Sequence, residues 1–333
     1  MTLDQLSPQE PHPLPAVAAP TTVPRGTLAF KFGGTSLLGA KRMRHAAGLV
    51  CDAAVHTRVV VVVSAMKGVT DRLLGIAHLL SQGSIERARF EAESVVRLHQ
   101  DALCELSSGD PERGRGFLHD LSLLGRDLLH EVSVSCPSRS EAELSDRLAS
   151  FGERFSARLF AAALSACGLN AVPVSSCDFV RTCETFRDAH PDLAETRRRG
   201  RELLDPLLED GIVPVVTGFI GATSDGRITT LGRNSSDFSG AIVAHVVDAD
   251  EMVIWTDVDG IYTANPKESS EARLLHELSY EEAHALAAAG AKVLHAKVLP
   301  LAAESEMVVW VRNTFNPQAR GTRIGPAHNG GAA

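Results

Sequence analysis

The sequence predicts an α/β protein, a three-layer α/β/α sandwich around a mainly parallel sheet, and two observations lead there. Short apolar runs alternate with helical spacings, and the runs are continuous in valine and other β-branched residues rather than alternating with polar ones. A strand apolar along its whole length is buried on both faces, as parallel strands between two helical layers are. The first unit reads as a strand at 27–31, a helix at 37–56 and an almost pure valine strand at 58–64, a right-handed crossover of the doubly wound kind. From 71 to about 166 the spacing predicts amphipathic helices, broken near Gly83, Gly109-Asp110-Pro111 and Cys136-Pro137. Strand patterns return at 171–174, 212–217, 251–256 and 307–311, with helical patterns at 192–208, 236–247 and 280–289. No internal repeat is visible.

Composition narrows the function. The 333 residues, 44% hydrophobic, can fill a sizeable core. A formal charge of -8 gives no basic field for gathering nucleic acid, and no apolar run approaches a membrane span. Six scattered cysteines without a C-x-x-C pair suit free thiols in a reducing cytoplasm, Cys177 and Cys183 included. Thirteen histidines form no H-x-x-x-H pair, and no protein metal site is expected. Residues 1–25 carry six prolines and no secretory pattern, and read as a disordered tail, with polyproline recognition as the alternative.

The chemistry gathers where strands end. Lys31 closes the first strand, and Gly33 and Gly34 follow it, where backbone N–H groups at a helix start favour an anion. Gly34-x-x-x-x-Gly39 resembles a P-loop, but Ala40 stands where its lysine belongs, so a Walker-type NTPase is excluded. A lysine at the tip of a buried strand needs a partner charge, which a phosphoryl group would supply. A second glycine-rich stretch runs from Gly218 to Asp237 and opens a helix that Ser236 or Asp237 is placed to cap. A third loop, 255–262, follows another buried strand and turns at Asp259-Gly260. Taken singly, each is also an ordinary turn. Glu153 and Arg233 read equally well as surface ion partners, and Lys292 as a snorkelling helix residue.

Read together, KFGGTS, VVSAMKGVTD, FGERFSA, GFIGAT, TTLGRNSSD, IWTDVDGIYTANP, GAKVLH and NTFNPQARGT stand in one order from about 27 to 324. In that order they resemble the catalytic domain of aspartate kinases, within the amino-acid kinase (carbamate kinase-like) fold. The resemblance implies two lobes, about 26–217 for the amino acid and 218–326 for the nucleotide, with a second tail at 327–333. It implies that Lys31 neutralises the moving phosphoryl group while Asp237 holds its ammonium. Ser64, Thr70, Phe219 and Ser236 would line the amino-acid pocket, Glu153 would bind the substrate ammonium and Arg233 its α-carboxylate. Gly33, Gly34, Thr256, Asp257, Tyr262 and Lys292 would hold ATP, with Mg2+ carried mainly by its phosphates.

The implied reaction is phosphorylation of the β-carboxylate of aspartate, an acceptor ionised at neutral pH that needs positioning rather than a general base. The alternatives are a kinase for another amino-acid carboxylate, or a non-catalytic regulatory homologue. Ser235, where the family has glycine, motivates the second. A homodimer is expected, as is room for a separate regulatory subunit, since no paired ACT domains follow 324 and the chain alone should ignore lysine and threonine.

Overall fold

The computed structural model describes residues 26–108, 111–134, 140–264, 269, 271–288 and 294–326. The expected tails 1–25 and 327–333 lie outside the described residues, as do Gly109, Asp110, Cys136 and Pro137 of the expected helix breaks. The first half runs β1 (Thr27–Phe32), α1 (Gly39–Ala54), β2 (Arg58–Val63), α2 (Val69–Ser81), α3 (Ile85–Leu106), α4 (Pro111–Ser133) and α5 (Glu141–Ala166). Next come β3 (Ala171–Val174), α6 (Leu193–Glu209), β4 (Val213–Thr217), β5 (Ile220–Ala222), β6 (Ile228–Thr230) and α7 (Ser236–Val246). The chain continues through β7 (Glu251–Thr256), β8 (Ile261–Tyr262), β9 (Leu274–Leu275), β10 (Glu277–Ser279), α8 (Tyr280–Ala288), α9 (Val298–Glu304), β11 (Val308–Asn313) and β12 (Thr322–Gly325).

The main sheet is ordered β10-β12-β11-β7-β1-β2-β4-β3 and is parallel except where β12 meets β11. Side chains alternate across each strand, so one strand feeds two cores. Phe30 and Phe32 of β1, Val59, Val61 and Val63 of β2 and Trp255 of β7 pack against α1–α5. Ala29, Val60, Val62, Met252 and Ile254 pack against α6–α9 on the other face. That double demand is why these strands read as unbroken apolar runs, and it yields the expected α/β sandwich. No helix among the described residues is long and apolar enough to cross a membrane.

Two local expectations are corrected. KFGGTS does not open a helix: 33–37 is a turn in which Ser36 and Leu37 N–H donate to the Gly33 and Gly34 carbonyls, and α1 begins at Gly39. Neither Ser236 nor Asp237 caps α7, whose N-cap is Ser235 without a side-chain cap bond. The carboxylate of Asp237 is engaged elsewhere, as described next.

Candidate active site

Because β7, β1, β2 and β4 are parallel neighbours, their C-terminal ends share one edge of the sheet. From β1 the sheet grows through β2 and β4 one way and through β7 and β11 the other, the switch point at which open α/β sheets take ligands. Lys31 alternates with Phe30 and Phe32 and so faces α7; it is 7% exposed, and its Nζ lies 2.6 Å from Asp237 Oδ1. One helical turn after Asp237 comes Gly240, where a Cβ would press into Met252 Cε and lie 3.1 Å from Lys31 Cβ. The absent side chain lets α7 lie close enough on β1 for the ion pair to form.

The turn after β1 is locked to the loop after β2. A Cβ on Gly34 would stand 2.6 Å from the Ala65 carbonyl oxygen and 3.1 Å from Lys67 N, a backbone approach that only glycine permits. Lys67 N–H donates to the Gly34 carbonyl at 3.1 Å, and Gly33 N–H to the Trp255 carbonyl at 3.3 Å. A Cβ on Gly33 would be 3.7 Å from Lys31 Nζ, so the strand-end lysine looks across this turn.

Glu153 enters from the opposite helical layer. It sits mid-way along α5, 3% exposed, with Oε1 accepting from Ala65 N–H at 3.0 Å. Its Oε2 is buried with no hydrogen-bond partner among the described residues, as is Ser64 Oγ at the neighbouring strand end. Burial pushes the Glu153 carboxyl up to about 8, against the pull of the Ala65 N–H and of the Lys31 charge. α5 can bring it there because Gly152 leaves room for the Ala65 methyl, 2.7 Å from where a Cβ would stand. Thr70, half-buried, lies in the first turn of α2 beyond this loop.

The second glycine-rich stretch closes over α7. Gly218 N–H donates to the Val63 carbonyl at 2.9 Å, and a Cβ on Gly218 would be 3.4 Å from that of Ser236. Phe219, half-buried, takes a left-handed φ of 68° and donates its N–H to Ser239 Oγ at 2.7 Å. The β5-β6 hairpin is held to α5 by Asp146, which accepts from Thr230 N–H, Thr230 Oγ1 and Arg187 N–H at 2.8–2.9 Å. Arg233 follows this hairpin, exposed and without an ion pair among the described residues, beside Asn234 at a left-handed φ of 62°. The structure therefore brings Lys31, Gly33, Gly34, Ser64, Glu153, Phe219, Ser236 and Asp237 to one edge, while Arg233 stands at its rim.

Thr256, at the end of β7, is half-buried, Asp257 is exposed and Tyr262 lies in β8. Their loop is fixed by Asp259, whose Oδ1 accepts from Asn313 Nδ2 at 2.8 Å and Asn316 Nδ2 at 3.1 Å. Lys292 lies outside the described residues. Just after it, His295 stacks on Phe238 and Lys297 Nζ pairs with Asp188 Oδ1 at 3.1 Å. Sequence reasoning missed Gly240, Asp146 and the Lys297–Asp188 pair, and it read Asp259 only as part of a turn. Of the missed residues only Gly240 leaves a trace, a glycine inside an apolar helical pattern.

The family model described as the amino acid kinase family matches residues 26–313, most of the chain. The chain belongs to that family. This amino acid kinase is 34% identical to lysine-sensitive aspartokinase 3 of Escherichia coli strain K12, over 88% of the chain and 63% of the relative. With aspartokinase 1, chloroplastic, of Arabidopsis thaliana the identity is 32%, over 90% of the chain and 52% of the relative. Among solved structures it resembles E. coli aspartokinase III in complex with aspartate and ADP, at a TM-score of 0.81 and 32% identity, covering 92% of the chain and 66% of that one. The chain thus spans less than two thirds of the length of each.

Proposed function

We propose that the chain is an aspartate kinase, transferring the γ-phosphoryl group of ATP to the β-carboxylate of L-aspartate to give 4-phospho-L-aspartate and ADP. The observation that carries this reading is the facing of two buried ionisable side chains across the strand ends. Lys31 is held by Asp237 from one helical layer, and Glu153 is half-satisfied from the other. A buried carboxylate with a spare oxygen suits an ammonium group, and a buried lysine suits a phosphoryl group. The likeness to aspartokinases supports the choice of acceptor.

In this reading a carboxylate oxygen of the acceptor attacks the γ-phosphorus in line, and the bond to the β,γ-bridging oxygen breaks. The acceptor is already anionic, so the protein positions and neutralises rather than removing a proton. Glu153 takes the ammonium, Arg233 at the rim closes on the α-carboxylate, and Ser64, Thr70, Phe219 and Ser236 line the acceptor. Gly33, Gly34, Thr256, Asp257, Tyr262 and Lys292 serve the nucleotide. In this reading an acceptor lobe of about 26–217 and a nucleotide lobe of about 218–326 meet at this edge, with Phe219, Arg233 and Ser236 reaching to the acceptor and Gly33 and Gly34 to the nucleotide. Asp237 is taken by Lys31, which leaves Asp257, exposed after β7, to meet a magnesium ion that would arrive on the phosphates of ATP and keep most of its waters. When bound, it would neutralise phosphate charge.

The test is ADP release dependent on aspartate, with the acyl phosphate trapped by hydroxylamine, run beside a panel of other amino acids. Release with a different acceptor would reassign the substrate. No release with any of them would make the chain a binding subunit.

A further inference from the structure

A cavity of about 330 Å³ lies along α5 and shares no lining residue with the site described above. Arg154 and Arg158 line it from α5, Ser175 and Asp178 from the end of β3 and the turn after it, and Thr217 and Ile228 close it. Its volume is at the lower end of the ~300–1,000 Å³ usual for small-molecule sites. It sits, as such sites do, at the carboxyl ends of parallel strands, here β3 and β4.

The charges in it are unbalanced. The Arg154 guanidinium lies over the Phe151 ring, and its ion contact is a distant 3.9 Å to Asp127, exposed on α4. Arg158 donates to the Arg154 carbonyl at 3.0 Å, while its Nε is buried without a partner and it makes no ion pair among the described residues. Burial, and then the charge of the neighbouring guanidinium, pushes the affinity of Arg154 for its proton down; burial alone does so for Arg158, against the pull of Asp120 and Asp127. Two guanidinium forks held together in a cavity match a carboxylate in geometry and charge. A simple oxyanion would leave the Asp178 carboxylate facing it, since that side chain lines the same cavity; burial raises its pKa against the pull of Arg181, Arg199 and Arg154. A zwitterion satisfies both signs.

We propose that this cavity is a second amino-acid site, in which Arg154 and Arg158 grip the α-carboxylate of a free amino acid and Asp178 meets its ammonium. The proposal does not depend on the aspartate kinase reading. It is tested on the full chain carrying Glu153→Gln, which weakens the acceptor site, by titration calorimetry with each common L-amino acid, with acetate and with inorganic phosphate. At least one amino acid should bind with one molecule per chain. Arg158→Leu should weaken it about tenfold or more, and Arg158→Lys should weaken it too, because a point charge does not replace a fork. Asp178→Asn should weaken the amino acid while leaving acetate no weaker, since acetate has no ammonium to lose and only a like charge to be relieved of. The proposal fails if no amino acid binds, if these variants bind as the parent does, or if phosphate binds best and Asp178→Asn tightens it.

Discussion

The two buried ionisable side chains at the strand ends are treated in opposite ways. Lys31, on the α7 side, has a carboxylate 2.6 Å away, whereas Glu153, on the α5 side, has one backbone N–H and a buried oxygen left over. Desolvation of a charge is repaid only by a partner, so the first group has its counter-charge in place without ligand and the second does not. The lesson is that the phosphoryl end is preorganised and the acceptor end waits for a cation that the protein does not contain. An ion pair also keeps the lysine extended along β1, where electrostatic stabilisation of transferring phosphate needs no rearrangement.

The largest loss is expected at Lys31. Lys31→Ala should lower kcat by about 10²–10³ or more, the usual loss when a charge-stabilising group is removed. Far-UV circular dichroism should stay unchanged, because β1 is held by its neighbours β2 and β7. Turnover within a few-fold of the parent would mean that the pair with Asp237 is structural only.

Glu153→Gln comes next. It should raise the KM for aspartate by about 10–100-fold, the loss of a charge-assisted bond, with a smaller effect on kcat. The sign of its pH effect follows from the shift. The folded-state pKa of about 8 lies above the ordinary 4.5, so between these values the folded chain holds a proton that the unfolded chain has lost. Stability from this group is full below 4.5 and falls as pH rises toward 8. Glu153→Gln should flatten that fall in a series of urea melts. For the same reason aspartate binding near pH 7 should release a proton, which calorimetry in buffers of different ionisation enthalpy would detect. Proton uptake, or none, would contradict the ammonium assignment.

A third probe asks whether the close backbone contacts set the site. Gly34→Ala drives a methyl to 2.6 Å from the Ala65 carbonyl, where nothing flexible can yield. It should cost about 1–3 kcal/mol by thermal or urea unfolding. Gly240→Ala meets the mobile end of Met252 and should cost less in stability, yet displace Asp237 from Lys31 and reduce kcat.

What the sequence made legible follows the same physics. Buried parallel strands must be apolar on both faces, so 58–64 and 251–256 were readable as strands, and the helices between them followed from spacing. β5, β6, β8 and β9 are two or three residues long and carry no period, so they were not readable. At the site, Lys31 could be flagged as an anomaly in an apolar strand, but its pairing with Asp237 came from family likeness. A contact across 206 positions has no local trace. Asp146 and Asp259 look like any surface carboxylate until the fold shows what they bind.

Ser235 should give the smallest effect, and it sharpens the comparison from the phosphoryl side. Its φ of -79° and ψ of 7° are open to any residue, so the position does not demand the glycine expected there. The side chain is fully buried and its Oγ has no hydrogen-bond partner among the described residues, so it is enclosed by protein rather than standing in open space that a phosphate would enter. A buried hydroxyl without a partner costs about 1–3 kcal/mol, so Ser235→Ala should be stabilising by roughly 1 kcal/mol, read as a small rise in Tm. Ser235→Gly should leave kcat within a few-fold, because no side chain is being cleared from the phosphate path. A tenfold or larger gain in kcat for Ser235→Gly would mean that the hydroxyl does crowd the ligand, and that the phosphoryl end is less complete than the Lys31–Asp237 pair makes it.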